Sequence, residues 1–204
     1  MRTITALFDT HDHASSAVRA LKDAGFSSAD ISLVANNASG EIDYDDGDMD
    51  AGEGAAAGAG VGAVAGGGAG LLAGLGAIAI PGIGPVIAGG WLVATAIGAV
   101  AGAAVGGAAG GLLGALANAG VPEDQAHVYA EGVRRGGTLV SIRADDSRAD
   151  TAAAILENAA GVDIEKRRSD YMAEGWQGFD EDGPAYSPDQ IRDYRNAYIP
   201  PPLP

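Results

Sequence analysis

Hydrophobic and polar residues near the start of the chain follow two different periods. The segment TITALFD (residues 3–9) alternates as a half-buried strand does, and HASSAVRALKDAGF (residues 13–26) repeats its apolar residues at the spacing of one helical face. Gly25 marks the end of that helix, and DISLVA (residues 30–35) predicts a second strand. Residues 1–40 are therefore predicted to form a strand–helix–strand unit.

The same pattern returns 135 residues later. Thr3 corresponds to Thr138, and the apolar helix positions correspond in the same way: Ala14 to Ala149, Ala17 to Ala152, Leu21 to Leu156 and Ala24 to Ala159. The second unit predicts a strand, a helix, a glycine stop at Gly161 and a strand, in the sequence GTLVSIRADDSRADTAAAILENAAGVDIEKR. Unless the two patterns match by chance, they predict an α+β fold: a split ferredoxin-like sandwich, with a four-stranded antiparallel sheet covered by two helices.

A long insertion separates the two halves. It begins with an acidic linker, EIDYDDGDMDAGE (residues 41–53), which carries seven acidic residues and no basic one. Residues 54–120 follow as a glycine- and alanine-rich run without charge. We assign residues 121–170 to one more helix and the second strand–helix–strand half, and residues 171–204 to an aromatic and proline-rich tail.

The helix that precedes the second half is predicted from VPEDQAHVYAEGVRRGG. Pro122 suits the first helical position, and the acidic pair that follows it favours a helix N-terminus. Arg134 and Arg135 suit the C-terminus, and Gly136 ends the helix.

Glycine occupies every fourth position along two stretches of the uncharged run. The sequence AIPGIGP (residues 79–85) predicts a turn between them, so the pattern indicates two helices, about 54–80 and 86–120, that form an αα-hairpin. The glycines predicted to mediate oligomerisation are Gly54, Gly58, Gly62, Gly66, Gly70, Gly74, Gly98, Gly102, Gly106, Gly110 and Gly114.

These glycine rows need a compensating contact, because each interior glycine costs a helix ~1 kcal/mol relative to alanine. Small residues four apart let helix backbones approach closely, as in a glycine zipper. A period of four drifts by about 40° per step around a helix, so one partner cannot follow a whole row and we expect a homo-oligomer. Compositional drift would explain the abundance of glycine but not its phase.

Two locations suit such a hairpin. Each arm exceeds the about 20 residues that cross a bilayer, and bulky apolar residues gather near the turn, which predicts a hairpin in contact with membrane lipid and two cytoplasmic heads. Alanine and glycine, however, gain little by leaving water, and the acidic flanks offer no positive anchor. The alternative is a soluble cytoplasmic homo-oligomer or filament with the glycine rows buried inside.

Composition and charge exclude several classes of function. The net charge of −15 argues against nucleic-acid binding, which requires basic residues. The chain has no cysteine, which rules out disulfides and thiol chemistry. The sequence MRTITALFDTHDH has no apolar segment behind a basic start, so we expect no secretory leader.

Signals for catalysis or metal binding are weak, and we predict no enzyme activity, no cofactor and no metal. His11 and His13 could ligate a metal in a sensor built on the sheet, but they lie where Thr10 or Asp12 suits a helix N-cap. DYDDGDMD in the linker lacks the ligand spacing of an EF-hand, which favours an acidic spacer over a calcium site.

The tail contains two recognisable segments. SPDQIRDY begins with a capping box, Ser187 and Gln190, and predicts a short helix, whereas IPPPLP predicts polyproline II. The tail is interpreted either as disordered or as docking onto a neighbouring subunit or partner through Tyr194, Tyr198 and the prolines.

The architecture resembles a bacterial family of heat-induced and general stress proteins. The resemblance lies in ITALFDTHDHASSAVRALKDAGFSSADISLVA, in the Gly/Ala-rich middle, and in VYAEGVRRGGTLVSIRADD followed by AAAILENAAGVDIEKR, and it covers residues 3–168. It implies a role in stress response and supplies no catalytic residue. The expected function is that of a stress-associated, self-assembling structural protein.

Overall fold

Five strands form one antiparallel sheet in the computed structural model, which describes residues 1–40, 42, 75–93, 95 and 111–198. The strands are β1 (Arg2–Phe8), β2 (Ile31–Asn36), β3 (Leu75–Ile80), β4 (Gly84–Gly89) and β5 (Thr138–Ala144). Their order across the sheet is β1-β5-β2-β4-β3. The α+β class is confirmed, but the sheet has five strands where the sequence predicted four.

Helices cover both faces of this sheet. They are α1 (His11–Asp23), α2 (Gly111–Asn118), α3 (Glu123–Arg134), α4 (Ala149–Asn158), α5 (Ile164–Ala173) and α6 (Pro188–Tyr198), with a short 3-10 turn at Ser28–Asp30. Helices α1 and α4 share one core with Phe8, Val140 and Ile142. Helices α2 and α3 share the opposite core with Leu7, Val34 and Leu139. The sheet is therefore the middle of three layers.

The buried faces of α1 and α4 agree with the 135-residue spacing of the sequence. Helix α1 buries Ala14, Ala17 and Leu21, and α4 buries their counterparts Ala149, Ala152 and Leu156. Because alanine is small, both helices lie close to the sheet. The prediction of a recurring apolar face is confirmed at these positions.

The strand predicted for VDIEKR is wrong, because the segment starts helix α5. The Asp163 side chain accepts a hydrogen bond from the backbone N–H of Lys166 at 3.0 Å and so caps the helix. Only Val162 keeps a strand-like bond, its N–H donating to the Leu7 carbonyl at 2.8 Å. The helix also continues to Ala173, past the predicted start of the tail at residue 171.

The two long helices predicted around AIPGIGP are also wrong near the turn. The turn itself is present at residues 81–83, but it joins β3 to β4 as a β-hairpin. Gly82 (φ +72°) and Gly84 (φ +95°) adopt left-handed backbone conformations, which glycine adopts without strain. Ile78, Ile80 and Ile87 are β-branched residues, which favour strands over helices.

The hairpin belongs to the main sheet. Strand β4 pairs with β2, with Leu33 opposite Gly89 and Asn36 opposite Val86. Of the arm predicted as helix 86–120, the described helical part includes α2, which packs on α3. The described part of residues 54–120 therefore contributes strands β3 and β4 and helix α2 to the folded domain.

Two other helices of the structure were predicted correctly. Helix α3 begins after Pro122 and ends at Arg134, with Arg135 as its C-cap and Gly136 in a left-handed conformation (φ +102°). Helix α6 begins with the predicted capping box: Gln190 N–H donates to Ser187 Oγ, and Ser187 N–H donates to Gln190 Oε1 at 2.9 Å. Within the ranges given above, no helix combines the length and apolar character that a bilayer crossing requires.

Candidate functional site

Buried and half-buried charged and aromatic side chains meet where α3, α5 and α6 converge beside the sheet. We call this group the arginine–tyrosine cluster. Its members are Asp9, Glu131, Arg135, Arg167, Tyr171 and Tyr194. Asp9 directly follows β1, so the cluster connects the C-terminal helices to the edge of the sheet.

Arg135 lies at the centre of one half of the cluster. Its Nε donates to Glu131 Oε1 at 2.6 Å, and its guanidinium lies 4.2 Å from the ring centroid of Tyr171. The Glu131 side chain is only 1% exposed, so the ion pair is buried. Burial disfavours the charged guanidinium, but hydrogen bonds with Glu131 and Glu174 hold the pKa of Arg135 above its usual value.

Arg167 organises the other half. It binds both carboxylate oxygens of Asp9, at 2.8 and 3.0 Å, and donates to the Tyr194 hydroxyl at 3.1 Å. The Tyr198 ring covers its guanidinium at 4.2 Å. Burial again opposes the charge, but the two Asp9 hydrogen bonds raise the pKa of Arg167.

The tyrosines of the cluster are neutral. Tyr194 donates to the Tyr171 hydroxyl at 3.0 Å, and burial raises the pKa of both phenols above the usual value. Trp176 packs edge-on against Tyr171, with 5.5 Å between ring centroids. Since both arginines are bound to carboxylates and both phenols keep their protons, the cluster can anchor helices, but it offers no activated base or nucleophile.

Anchoring of α6 is completed at the end of α3. Ile191 is buried against Gly136, where a Cβ atom would lie 2.4 Å from Ile191 Cγ2. Arg195 donates to the Gly136 carbonyl at 2.9 Å. The interpretation of residues 188–198 as a disordered tail is therefore wrong, because this part of the tail folds onto its own chain. Residues 199–204, with the polyproline II prediction, lie outside the described residues.

A cavity of about 650 Å³ lies between α3 and α5. His127 lines it and accepts a hydrogen bond from Phe179 N–H through Nδ1 at 3.0 Å, which places the proton of the neutral ring on Nε2. Arg168 at the rim is paired with Asp124 at 2.9 Å. The sequence did not single out this cavity, because its walls come from helices forty residues apart.

The predicted glycine rows fall almost entirely outside the described residues. Gly114 is the exception: it lies buried in α2. The other ten predicted positions, in residues 54–74 and 98–110, have no described surroundings. Their role in oligomerisation stays a prediction.

The structure places the metal and calcium candidates as follows. Thr10 caps α1 by accepting from His13 N–H at 3.2 Å, and His11 Nε2 lies 3.2 Å from Ser15 Oγ. Among the residues with assigned positions, no three His, Cys, Asp or Glu side chains are arranged to hold a metal ion. The segment DYDDGDMD lies outside the described residues.

The arginine–tyrosine cluster was missed at the sequence level. The sequence features that could have indicated it are the adjacent arginines at 134–135 and 167–168 and the tyrosines at 171 and 194. Arg134 and Arg135 were read only as favourable charges at a helix end. Nothing in their local spacing reveals that Asp9, more than 150 residues away, is the partner of Arg167.

Comparison of the chain with family models, curated proteins and solved structures gives no match. The resemblance to heat-induced and general stress proteins therefore rests on the motifs of residues 3–168 alone.

Proposed function

We propose that this chain is a stress-associated, self-assembling structural protein, in which the glycine rows form contacts between copies and the α+β domain holds them. The observation that carries the proposal is the recurrence of glycine at every fourth position on both sides of AIPGIGP within a stretch of 69 residues without charge. Packing between backbones is the physical role that this spacing supports. The stress association rests on the family resemblance.

The position of the turn supports the alternative in which the glycine rows are buried between protein chains. A hairpin that inserts into a bilayer places its turn deepest, yet Ile83 is fully buried in the domain and Val86 and Ile87 are each 1% exposed. These side chains are engaged in the protein core and are not available to lipid. Attachment to a membrane would then involve residues outside the turn.

We also propose that the central part of the domain has a ferredoxin-like arrangement. Its support is the strand order β1-β5-β2 with α1 and α4 on one face. In that arrangement a fourth strand pairs with the outer edge of β1, and the bond from Val162 N–H to the Leu7 carbonyl lies at that edge. Helix α5 then replaces the rest of the fourth strand.

Substitution in the glycine rows tests the proposed assembly. Gly66→Leu and Gly106→Leu should shift sedimentation velocity profiles towards smaller species, because a side chain on the row separates the helix backbones. Gly67→Leu, about 100° around a helix from Gly66, is the matched control and should assemble as the unmodified chain does. Equal assembly of Gly66→Leu and the unmodified chain, or equal damage by Gly67→Leu, would show that the rows are not the contact surface.

Flotation with lipid vesicles distinguishes the two locations. If the rows pack between protein chains, the purified chain assembles without lipid and stays at the bottom of the gradient when vesicles are added. Co-flotation that survives a high-salt wash would support the membrane-attached form instead. The stress association is tested separately, by comparing the abundance of the protein before and after a heat shock.

A further inference from the structure

The outer edge of β1 is partly satisfied by its own chain. Among the described strands, β1 lies at the edge of the sheet and pairs with β5 alone. The Thr5 carbonyl accepts the Tyr129 hydroxyl at 2.9 Å, and the Leu7 carbonyl accepts Val162 N–H at 2.8 Å. Since backbone groups alternate between the two sides of a strand, Thr3, Thr5 and Leu7 are the residues that point away from β5.

An occupant of this edge would need to supply hydrogen-bond acceptors more than donors. Thr3 and Thr5 are half-buried, and no hydrogen bond within the described part of the chain reaches their outward N–H groups. The carbonyls of Thr5 and Leu7, by contrast, already have donors. A segment that supplies carbonyl oxygens but few N–H groups therefore complements this edge.

A groove of about 450 Å³ runs along the same edge. Its apolar wall comes from β1, from α4 and from the start of α5: Ile4, Ala6, Leu156, Val162 and Ile164. Glu157 and Asp163 also line it, so an occupant without negative charge fits best.

The described chain ends close to this groove. Helix α6 runs from Ile191, which packs on Gly136, towards Tyr198, whose ring lies on Arg167. Arg167 binds Asp9 just beyond the end of β1, and it lies one helical turn after Ile164 of the groove wall. Six residues, IPPPLP, follow Tyr198.

We propose that residues 199–204 of the same chain occupy the groove and lie along β1 as a polyproline II segment. Four of the six residues are prolines, which have carbonyls but no N–H, so they match an edge that needs acceptors. Six residues of polyproline II span about 19 Å, against about 14 Å of strand from Thr3 to Leu7. None of its six side chains is charged, and Ile199 and Leu203 supply apolar side chains for the wall.

A cysteine pair tests this placement in the full chain, which has no cysteine of its own. Ala153 lines the groove on α4, so Ala153→Cys combined with Leu203→Cys should form an intrachain disulfide under mild oxidation. Ala117→Cys with Leu203→Cys is the matched control, because Ala117 is exposed on α2, which packs on the other face of the sheet. Equal yields from both pairs would overturn the proposal. So would a disulfide between two chains that disappears on dilution, since that outcome assigns the groove to a second copy.

Amide hydrogen exchange provides an independent measurement. Ending the chain after Tyr198 should raise the exchange rates of the Thr3 and Thr5 amides by about tenfold or more, and the peptide IPPPLP added at millimolar concentration should restore the slower rates. Exchange at Val140 in the central strand β5 should not change and shows that the fold is intact. Identical exchange at Thr3 and Thr5 in the two chains would contradict the proposed docking.

Discussion

At the scale of single residues, the fold tolerates the buried charges of Glu131, Arg135 and Arg167 because each has an opposite charge within hydrogen-bond distance. Arg135 and Glu131 lie one turn apart at the end of α3, and both are almost inaccessible to water. Such a pair contributes modestly to stability when complete, but an unpaired buried charge is strongly unfavourable. Removing one member therefore measures the cost of leaving the other charge buried and unpaired.

Glu131→Ala should lower the free energy of unfolding by about 3 kcal/mol, because Arg135 then keeps only Glu174, whose side chain is 50% exposed, as a carboxylate partner. Urea denaturation followed by circular dichroism measures this change. Asp193→Ala on the exposed side of α6 is the control and should stay within about 0.5 kcal/mol of the unmodified chain. A loss below 1 kcal/mol for Glu131→Ala would mean that Glu174 or water replaces the missing carboxylate.

Tyr129 predicts a pH dependence in the alkaline range. Burial raises the pKa of its phenol from 10.0 to about 12, so its neutral form is favoured in the folded state. The resulting stabilisation is complete below pH 10 and decreases as the pH rises towards 12. Tyr129→Phe should therefore be less stable than the unmodified chain below pH 10, by ~1 kcal/mol for the lost bond to Thr5, and this difference should shrink and then reverse sign as the pH rises to 12, because the rise in the pKa outweighs that one bond. Urea midpoints across this range measure it, and a constant difference would contradict the assignment.

At the scale of secondary structure, the sequence was sufficient where the whole signal lies within one helix. The apolar faces of α1 and α4, the boundaries of α3 and the capping box of α6 all follow from residues within one or two helical turns. The β3–β4 hairpin does not, because its strands are stabilised by pairing with β2, and glycine periodicity alone cannot reveal that partner. Likewise the arginine–tyrosine cluster depends on contacts between distant segments.

The start of α5 shows how a repeat can obscure a local signal. The 135-residue spacing favoured a strand at VDIEKR, whereas Asp163 is a good N-cap and Glu165 follows it in the first turn. Asp163→Ala should cost ~1 kcal/mol of stability in thermal unfolding, and Asp163→Asn, which keeps an N-cap side chain, should cost much less. Equal losses for the two variants would indicate that the charge matters more than the cap.

Helix α3 approaches β1 so closely that a glycine is required at their contact. A Cβ atom on Gly132 would lie 2.3 Å from Leu7 Cδ2, and Leu7 is fully buried. Gly132→Ala should therefore destabilise the fold by about 1–3 kcal/mol, although alanine is the better helix former. A double-mutant cycle with Leu7→Val measures the coupling, and the smaller side chain should recover part of the loss. Additive effects of the two substitutions would place the strain elsewhere.

At the scale of the whole molecule, the described part of the run between the two halves belongs to the fold. Its strand β4 covers the edge of β2, and its residues Ile83, Leu112 and Leu116 complete the core beneath α3. A head domain made only of residues 1–40 and 121–170 would expose this core and an unpaired strand edge. The repeat alone predicted a sheet built from residues 1–40 and 121–170, whereas the described sheet also includes β3 and β4.

Deletion of residues 41–120, with a short linker in their place, should therefore abolish cooperative unfolding. Differential scanning calorimetry should show no sharp transition in the shortened chain, and a dye that binds apolar surface should bind it strongly. The full chain is the reference. A single cooperative transition after the deletion would show that β1, β2 and β5 with their two helices are sufficient for folding.

The strand order has a consequence for the time at which the protein can fold during its synthesis. Strands β1 and β2 do not pair with each other, because β5 lies between them and joins both. A ribosome that adds about 5–20 residues per second needs on the order of ten seconds to travel from Phe8 to Thr138, and throughout that interval β5, the strand with which β1 pairs, has not yet been made. The uncharged run emerges in the same interval. A nascent chain stalled before Thr138 should therefore be digested by protease along its whole exposed length. After release of the complete chain, the sheet should become resistant to the protease within the time that the protein needs to fold.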